Sequence, residues 1–132
     1  MTSASAAMAE NLLERDIVLA CLELLKFRGV FAWRQNQGAM KKRDSTGERT
    51  IRFTSINGVS DIIGVLRDGR FLAVECKRPG NGPTEEQSYF LDAVRRRGGI
   101  ALIVYDVDDL AETLDSLEAG RGSETPQRRT GV

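Results

Sequence analysis

The amino-acid sequence predicts an α/β domain in which helices flank a mixed β-sheet, in the order α-β-β-β-α-β-α. The clearest observation is a pair of short apolar runs, Asp61–Leu66 and Phe71–Cys76, joined by Asp68-Gly69. Asp-Gly between apolar runs is the strongest short-range signal for a β-hairpin. A continuous apolar run at Ile100–Tyr105 follows a helical segment. Such a run is typical of an inner parallel strand that is reached through a crossover helix.

The first third of the chain is predicted to form a helix and a hairpin. The helix runs from Ala9 to Arg28, because apolar residues recur on one face before a glycine. That apolar stripe consists of Leu13, Ile17, Cys21, Leu24 and Leu25. Val30–Gln35 is predicted as a strand, Arg49–Ser55 as its hairpin partner, and the polar segment between them as a mobile loop. Trp33 is more typical of a core residue than of a base-stacking platform.

Two further helices are predicted. One begins after Thr84, a good N-cap, and runs from Glu85 to about Arg97. Its inward face carries Gln87, Phe90, Leu91 and Val94. The last helix covers about Val107–Ala119, with a short stripe made of Leu110, Leu114 and Leu117.

Length and composition fit one soluble domain of 132 residues. We expect residues 1–8 to be a flexible leader, residues 9–119 the domain and residues 120–132 a flexible tail. No apolar run is long enough to span a membrane, and the start lacks the features of a signal peptide. Cys21 and Cys76 are expected to be packed thiols in a reducing cytoplasm rather than a disulfide.

The charges cancel overall but are segregated along the chain. Residues 26–52 contain eight basic and two acidic side chains, whereas residues 101–119 contain six acidic side chains and none that is basic. Phosphate contact depends on the local patch, so overall neutrality does not exclude a nucleic-acid partner.

The predicted hairpin places three charged residues together. Side chains alternate along a strand, so Glu75 and Lys77 share one face. A two-residue turn would put Asp61 on the opposite face, whereas a three-residue loop, Arg67-Asp68-Gly69, puts Asp61 opposite Glu75. Glycine suits the last position of the three-residue loop, because it adopts positive φ without strain. We therefore predict the three-residue form.

Two adjacent carboxylates favour a bound cation. Asp61 and Glu75 repel one another, and one would take up a proton unless a cation lies between them. Carboxylate oxygens select a hard divalent ion such as Mg²⁺ or Mn²⁺, which completes its coordination with water and phosphate oxygens. Lys77 would orient a water nucleophile or neutralise charge on a phosphate. Asp61, Glu75 and Lys77 together fit metal-dependent phosphodiester hydrolysis. The same three residues would also occur if Glu75 and Lys77 were a solvent-facing pair on a strand and Asp61 an ordinary acid in a turn.

The residues from Asp61 to Glu75-Cys76-Lys77 resemble the PD-(D/E)xK nuclease signature, and the flanking segments resemble the VRR-NUC family. The resemblance covers nearly the whole domain, although Ser60 stands where the signature has proline. It rests on Glu14, WRQNQGA at Trp33–Ala39, GVSD at Gly58–Asp61, VECKRPG at Val74–Gly80, TEEQSYFLDAV at Thr84–Val94 and GGIALIVYDVDDL at Gly98–Leu110.

This resemblance implies a restriction-endonuclease-like core and a DNA endonuclease dependent on Mg²⁺ or Mn²⁺, without a nucleotide cofactor. It implies Asp61, Glu75 and the Cys76 carbonyl as metal ligands, Lys77 as the residue that activates water, and Gln87 as an orienting residue. It further implies a homodimer that acts on branched or junction DNA or nicks duplexes. The process would be DNA repair, and a protein encoded by a bacteriophage would act in the cytoplasm of the host cell.

Two of these residues have a second interpretation. Glu14 leans toward the apolar face and would assist the metal through a water or a second metal, or it would belong to a capping box that begins at Asn11. Gln87 would likewise serve the active site or a capping box with Thr84. Nucleic-acid contacts are expected from Arg34, Lys41, Lys42, Arg43, Arg49 and Arg78.

Three other functions are compatible with the sequence. The domain could be a nucleic-acid-binding module without turnover, although all three signature residues are intact. It could dock a replication or repair partner through its acidic last helix. Its substrate could also be RNA instead of DNA.

Overall fold

The computed structural model describes residues 3–35, 39–52 and 56–122, and the side chains of residues 14–35, 43–49 and 56–120. The elements are α1 (Ser3–Phe27), β1 (Phe31–Arg34), β2 (Ala39–Asp44), β3 (Gly47–Arg52), β4 (Ile62–Val65), β5 (Phe71–Cys76), α2 (Glu85–Arg96), β6 (Ile100–Val104) and α3 (Val107–Gly122).

Four strands form the main sheet, in the spatial order β1-β4-β5-β6. β4 pairs antiparallel with both β1 and β5, and β5 pairs parallel with β6. The parallel pair is connected through α2, as expected for a crossover connection. The prediction of a mixed sheet flanked by helices is therefore confirmed.

Helices pack on both faces of this sheet, because β5 carries buried apolar side chains on each of its two faces. Leu72, Val74 and Cys76 point to one face and pack with residues of α1 and α3. Ala73 points to the other face and packs with Leu91 and Val94 of α2. The predicted stripes of α2 and α3 supply these buried residues, and Cys21 and Leu25 of the first helix are fully buried. The side chain of Leu13 lies outside the described set.

Residues 39–52 form a hairpin that the sequence did not predict. β2 pairs antiparallel with β3 in a separate two-stranded sheet, with Asp44 opposite Gly47. The predicted loop at this place is therefore wrong, and so is the pairing of Arg49–Ser55 with the first strand. The partner of β1 is β4 instead. Residues 53–55 lie outside the described part of the chain.

Several element boundaries and environments also differ from the predictions. α1 begins at Ser3, so Asn11 is inside the helix and is not its N-cap. The run at Ile100–Val104 is parallel as predicted, but it occupies an edge of the four-stranded sheet. Trp33 is 42% exposed and packs edge-on against Phe31, so it is not a core residue. α3 extends to Gly122, and residues 123–132 are outside the described range.

With the β2–β3 hairpin set aside, the described elements occur as α1-β1-β4-β5-α2-β6-α3. Cys21 and Cys76 are both buried and free, as predicted. No helix in the described part of the chain has the length and apolar character needed to cross a bilayer.

Candidate active site

The β4–β5 connection sets the register of the site. Leu66 N donates a hydrogen bond to Arg70 O at 2.8 Å, and Gly69 N donates to Leu66 O at 2.8 Å. Gly69 has a φ of 90°, the left-handed conformation that favours glycine. These contacts define the predicted three-residue loop. Since Ile62 pairs with Val74, the residue before β4 lies opposite Glu75.

Asp61 is fixed at this position by two hydrogen bonds. Its carboxylate Oδ2 accepts a hydrogen bond from Cys76 N at 2.8 Å. Its backbone oxygen accepts another from Gln35 N at 2.8 Å, which ties it to the end of β1. The half-buried Asp61 carboxylate is therefore held across the end of β5, next to Glu75.

Glu75 is the buried acid of the site, with only 2% of its surface exposed. Its Oε1 accepts a hydrogen bond from Gln87 Nε2 at 3.2 Å and lies 3.9 Å from Lys77 Nζ. Its Oε2 is buried and has no hydrogen-bond partner among the described residues. Burial, followed by the charge and contact of Asp61, raises the pKa of Glu75 to about 8, against a smaller lowering by Lys77.

Gln87 forms the capping box that the sequence predicted and also contacts Glu75, and its active-site role stays a prediction. Thr84 Oγ1 accepts a hydrogen bond from Gln87 N at 3.2 Å, and Gln87 Oε1 accepts one from Thr84 N at 2.9 Å. These two bonds form the capping box of α2. The amide nitrogen of the same side chain is then free to donate to Glu75. Gln87 thus caps the N-terminal end of α2 and also donates a hydrogen bond to the buried Glu75 carboxylate.

Lys77 follows β5 and is also held in place. Its backbone nitrogen donates to Val104 O at 2.9 Å, which continues the parallel ladder by one residue. Its side chain is 13% exposed, and the separation of 3.9 Å from Glu75 is long for a hydrogen bond. The ammonium group is thus near the carboxylate pair without being fully engaged by it.

Gly58 is a residue of the site that the sequence reasoning did not single out for a role. It has a φ of 78°, and a Cβ placed on it would meet the backbone oxygen of Glu86 at 2.4 Å and Gln87 N at 2.7 Å. Only glycine allows the segment before Asp61 to pack against the first turn of α2. The glycine in GVSD was the available signal, but the contact that requires it is long-range.

The structure does not bring Glu14 into this group. Glu14 is half-buried on α1, which packs against the face of the sheet opposite to α2. In the described part of the chain, no three or more His, Cys, Asp or Glu side chains are grouped closely enough to hold a metal ion. The roles of Glu14 and of the Cys76 carbonyl remain predictions.

The residues expected to contact nucleic acid lie on several elements. Arg34 is exposed at the end of β1, and Arg78 is half-buried directly after Lys77. Arg43 and Arg49 are exposed on the hairpin, 3.9 Å from Glu48 and 3.7 Å from Asp44, respectively. Lys41 and Lys42 belong to β2, but their side chains lie outside the described set.

The donor set suits a hard divalent cation. Asp61 and Glu75 supply oxygen ligands, and the buried Glu75 Oε2 needs a positively charged or donating partner. Mg²⁺ is commonly held by one or two carboxylates and completes its shell with water and phosphate oxygens. Two carboxylates at a partly open strand end therefore fit Mg²⁺ or Mn²⁺.

Comparison of the chain with protein-family models, with curated proteins and with solved structures finds no match.

Proposed function

We propose that this chain is a DNA endonuclease that hydrolyses phosphodiester bonds with Mg²⁺ or Mn²⁺. The observation that carries the proposal is the buried Glu75 carboxylate, whose Oε2 lacks a hydrogen-bond partner among the described residues beside Asp61. A buried carboxylate next to a second, half-buried one is costly for folding, so the presence of this pair at a strand end beside a lysine favours a function.

The element order supports a restriction-endonuclease-like core as the finer description of the fold. In such a core the acid before one central strand faces the acid at the end of its antiparallel neighbour. Asp61 and Glu75 have this relation on β4 and β5. The resemblance of the surrounding motifs to VRR-NUC nucleases supports the same description.

Each residue of the site has a defined task in this proposal. Asp61 and Glu75 hold the cation, and the hydrogen bond from Gln87 orients Glu75. The cation, when bound, polarises the phosphate and lowers the pKa of a coordinated water. The Lys77 ammonium group positions the attacking water and offsets negative charge that builds up on the phosphate. Arg34, Arg78 and the basic hairpin bind the DNA backbone.

A homodimer is the expected assembly. One chain carries one such site, and symmetrical cutting of two strands needs two sites that are related by a two-fold axis. Branched or junction DNA, or duplexes that are nicked, are the substrates that the resemblance favours.

The direct test compares wild type with Lys77→Ala on plasmid, duplex, flap and four-way-junction DNA, each with Mg²⁺, Mn²⁺ or EDTA. We expect cleavage that requires the metal and is lost in the variant, with one DNA shape cut fastest. RNA versions of the same substrates test the alternative nucleic acid. Tight binding without cleavage would replace the proposal with a binding module.

A further inference from the structure

A second feature of the molecule lies at the other end of the central hairpin. An open cleft of about 860 Å³ separates the β4–β5 turn from α2. Its lining includes three aromatic side chains, Phe71, Tyr89 and Phe90, and three arginines, Arg70, Arg96 and Arg97. None of these residues takes part in the carboxylate site.

Two of the aromatic side chains of the cleft are exposed, whereas Phe90 is partly buried against the core. Tyr89 is 73% exposed and Phe71 is 41% exposed. Single exposed aromatic residues are normal on protein surfaces, but several that line one cleft indicate a binding surface. Flat aromatic faces with cationic neighbours are typical of sites for single-stranded nucleic acid, because every base can stack on them.

The charges of the cleft favour an anionic ligand. The two carboxylates in the lining are already paired: Asp68 with Arg70 at 2.7 Å, and Asp92 with Arg95 at 3.1 Å. Arg96 and Arg97 are exposed, and neither forms an ion pair within the described part of the chain. Arg97 Nη1 donates to Ala93 O at 2.9 Å, which leaves the rest of its guanidinium group available. The cleft thus presents two guanidinium groups without a protein counter-ion.

The cleft and the carboxylate site lie on the same face of the sheet. Phe71 and Glu75 are four residues apart on β5 and point to the same side. At about 3.3 Å per residue, they are about 13 Å apart along the strand. A strand in a duplex advances about 3.4 Å per nucleotide and an extended single strand advances further, so this distance corresponds to at most about four nucleotides. A strand bound at Glu75 can therefore reach the part of the cleft that is lined by Phe71.

We propose that this cleft holds a single-stranded segment of the substrate, at most about four nucleotides from the bond that is cut, a role that rests on the proposed nuclease function. A base stacks on Tyr89, and the neighbouring phosphates contact Arg96 and Arg97. The cleft would then select DNA in which a duplex continues into a single strand.

The test measures binding and cleavage of fluorescent DNA, with Ca²⁺ for binding and Mg²⁺ for cleavage. The substrates are a blunt duplex and the same duplex with an eight-nucleotide single-stranded extension at either end. The variants are Tyr89→Ala and the double variant Arg96→Gln/Arg97→Gln. Their matched controls are Phe27→Ala, an aromatic residue that is 87% exposed on α1, and Arg15→Gln on the same helix.

We expect wild type and both controls to bind one of the extended duplexes at least tenfold more tightly than the blunt one. The two cleft variants should lose this preference. If wild type cleaves DNA and the cleft variants still prefer an extended duplex over the blunt one, the cleft proposal is wrong and the nuclease proposal stands. A preference that disappears in the cleft variants, without any cleavage by wild type, would refute the nuclease and leave the cleft as a strand-binding site.

Analytical ultracentrifugation of each variant measures its oligomeric state and tests whether a second copy of the chain occupies the cleft. If Tyr89→Ala converts a dimer into a monomer and leaves DNA preference unchanged, a second copy of the chain covers the cleft and the proposal is wrong.

Discussion

Glu75 combines features that are rarely found together in a residue without a function. It is buried, it adjoins a second carboxylate, and burial and the Asp61 charge outweigh the support that its ionised form receives from Lys77, the Asp61 backbone and the Gln87 amide. The metal-free protein therefore favours a protonated Glu75, whereas a bound cation would favour the ionised form. Stability, pH and metal binding should be coupled at this residue.

Metal-free wild type is predicted to lose stability as pH rises from about 5 to 8. Folding raises the pKa of Glu75 from 4.5 to about 8, so in this range the folded chain keeps a proton that the unfolded chain has lost. The free energy of unfolding should fall by about 1 kcal/mol or more across the range, relative to Glu75→Gln. Urea unfolding with EDTA at several pH values measures it. Parallel pH curves for the two proteins would contradict the prediction.

The two functions of Gln87 can be separated by comparing Gln87→Ala with Thr84→Ala. Each variant removes part of the same capping box, so each should destabilise the protein by about 1 kcal/mol. Only Gln87→Ala also removes the hydrogen bond to Glu75, and it should reduce metal-dependent cleavage by about tenfold or more. Equal cleavage by the two variants would show that Gln87 acts only as a cap.

The site residues differ in how far the sequence could predict them. Asp61, Glu75 and Lys77 follow from strand alternation and one turn, which are local rules. Gln87 could be placed near the site and in a capping box with Thr84, but its hydrogen bond to Glu75 depends on how α2 packs on the sheet. The role of Gly58 depends on a contact with residues far along the chain, which no local pattern encodes.

At the scale of the element, the β4–β5 hairpin and the first turn of α2 form one structural unit around the site. The hairpin fixes Asp61 against Glu75, and Gly58 packs closely on the turn of α2 from which Gln87 donates to Glu75. A change that separates the segment before β4 from α2 should therefore affect the site without altering any of its charged residues.

Gly58→Ala tests this packing, with Gly80→Ala as its matched control. Both glycines have positive φ, 78° and 90°, but only at Gly58 would an added Cβ meet backbone atoms within 4 Å. We expect Gly58→Ala to cost about 1–3 kcal/mol more than the control, because the backbone must move to relieve the overlap. Urea unfolding of both variants gives the comparison, and equal losses would show that the contact is easily relieved.

The elements that could be predicted are those with an apolar repeat. The helical stripes and the apolar strands β4, β5 and β6 follow from periodicity. The β2–β3 hairpin could not be predicted, since its strands carry mainly charged and polar residues and lack apolar alternation. Its two-residue turn is closed locally, because Asp44 accepts hydrogen bonds from the backbone and hydroxyl of Thr46. The edge position of β6 depends on the sheet order, which the sequence of the strand does not specify.

At the scale of the whole molecule, ion pairs link the basic segment 26–52 to the acidic helix α3. Arg28, directly after α1, pairs with Asp115 at 2.6 Å and with Glu118 at 3.5 Å on α3. The neighbouring carboxylates raise the pKa of Arg28 further. Five of the eight basic residues of segment 26–52 belong to the β2–β3 hairpin: Lys41, Lys42, Arg43, Arg49 and Arg52.

The basic hairpin is predicted to make DNA binding strongly salt-dependent. Replacing Lys41, Lys42 and Arg43 with glutamine should weaken binding and lower the slope of log K against log salt by up to about 3, since each phosphate contact contributes about 0.9. Arg15→Gln, outside the basic segment, should leave the slope unchanged. Anisotropy titrations at several salt concentrations measure the slope, and an unchanged slope in the triple variant would place the phosphate contacts elsewhere.

The measurement that tests the central claim most directly is the rate of DNA cleavage against Mg²⁺ concentration for wild type and Glu75→Gln, each checked for native folding. Because Glu75 is proposed to hold the ion that supports hydrolysis, the wild-type rate should rise and saturate with Mg²⁺, while the variant should be at least 100-fold slower. Cleavage by Glu75→Gln at the wild-type rate, or wild-type cleavage that persists in EDTA, would contradict the account.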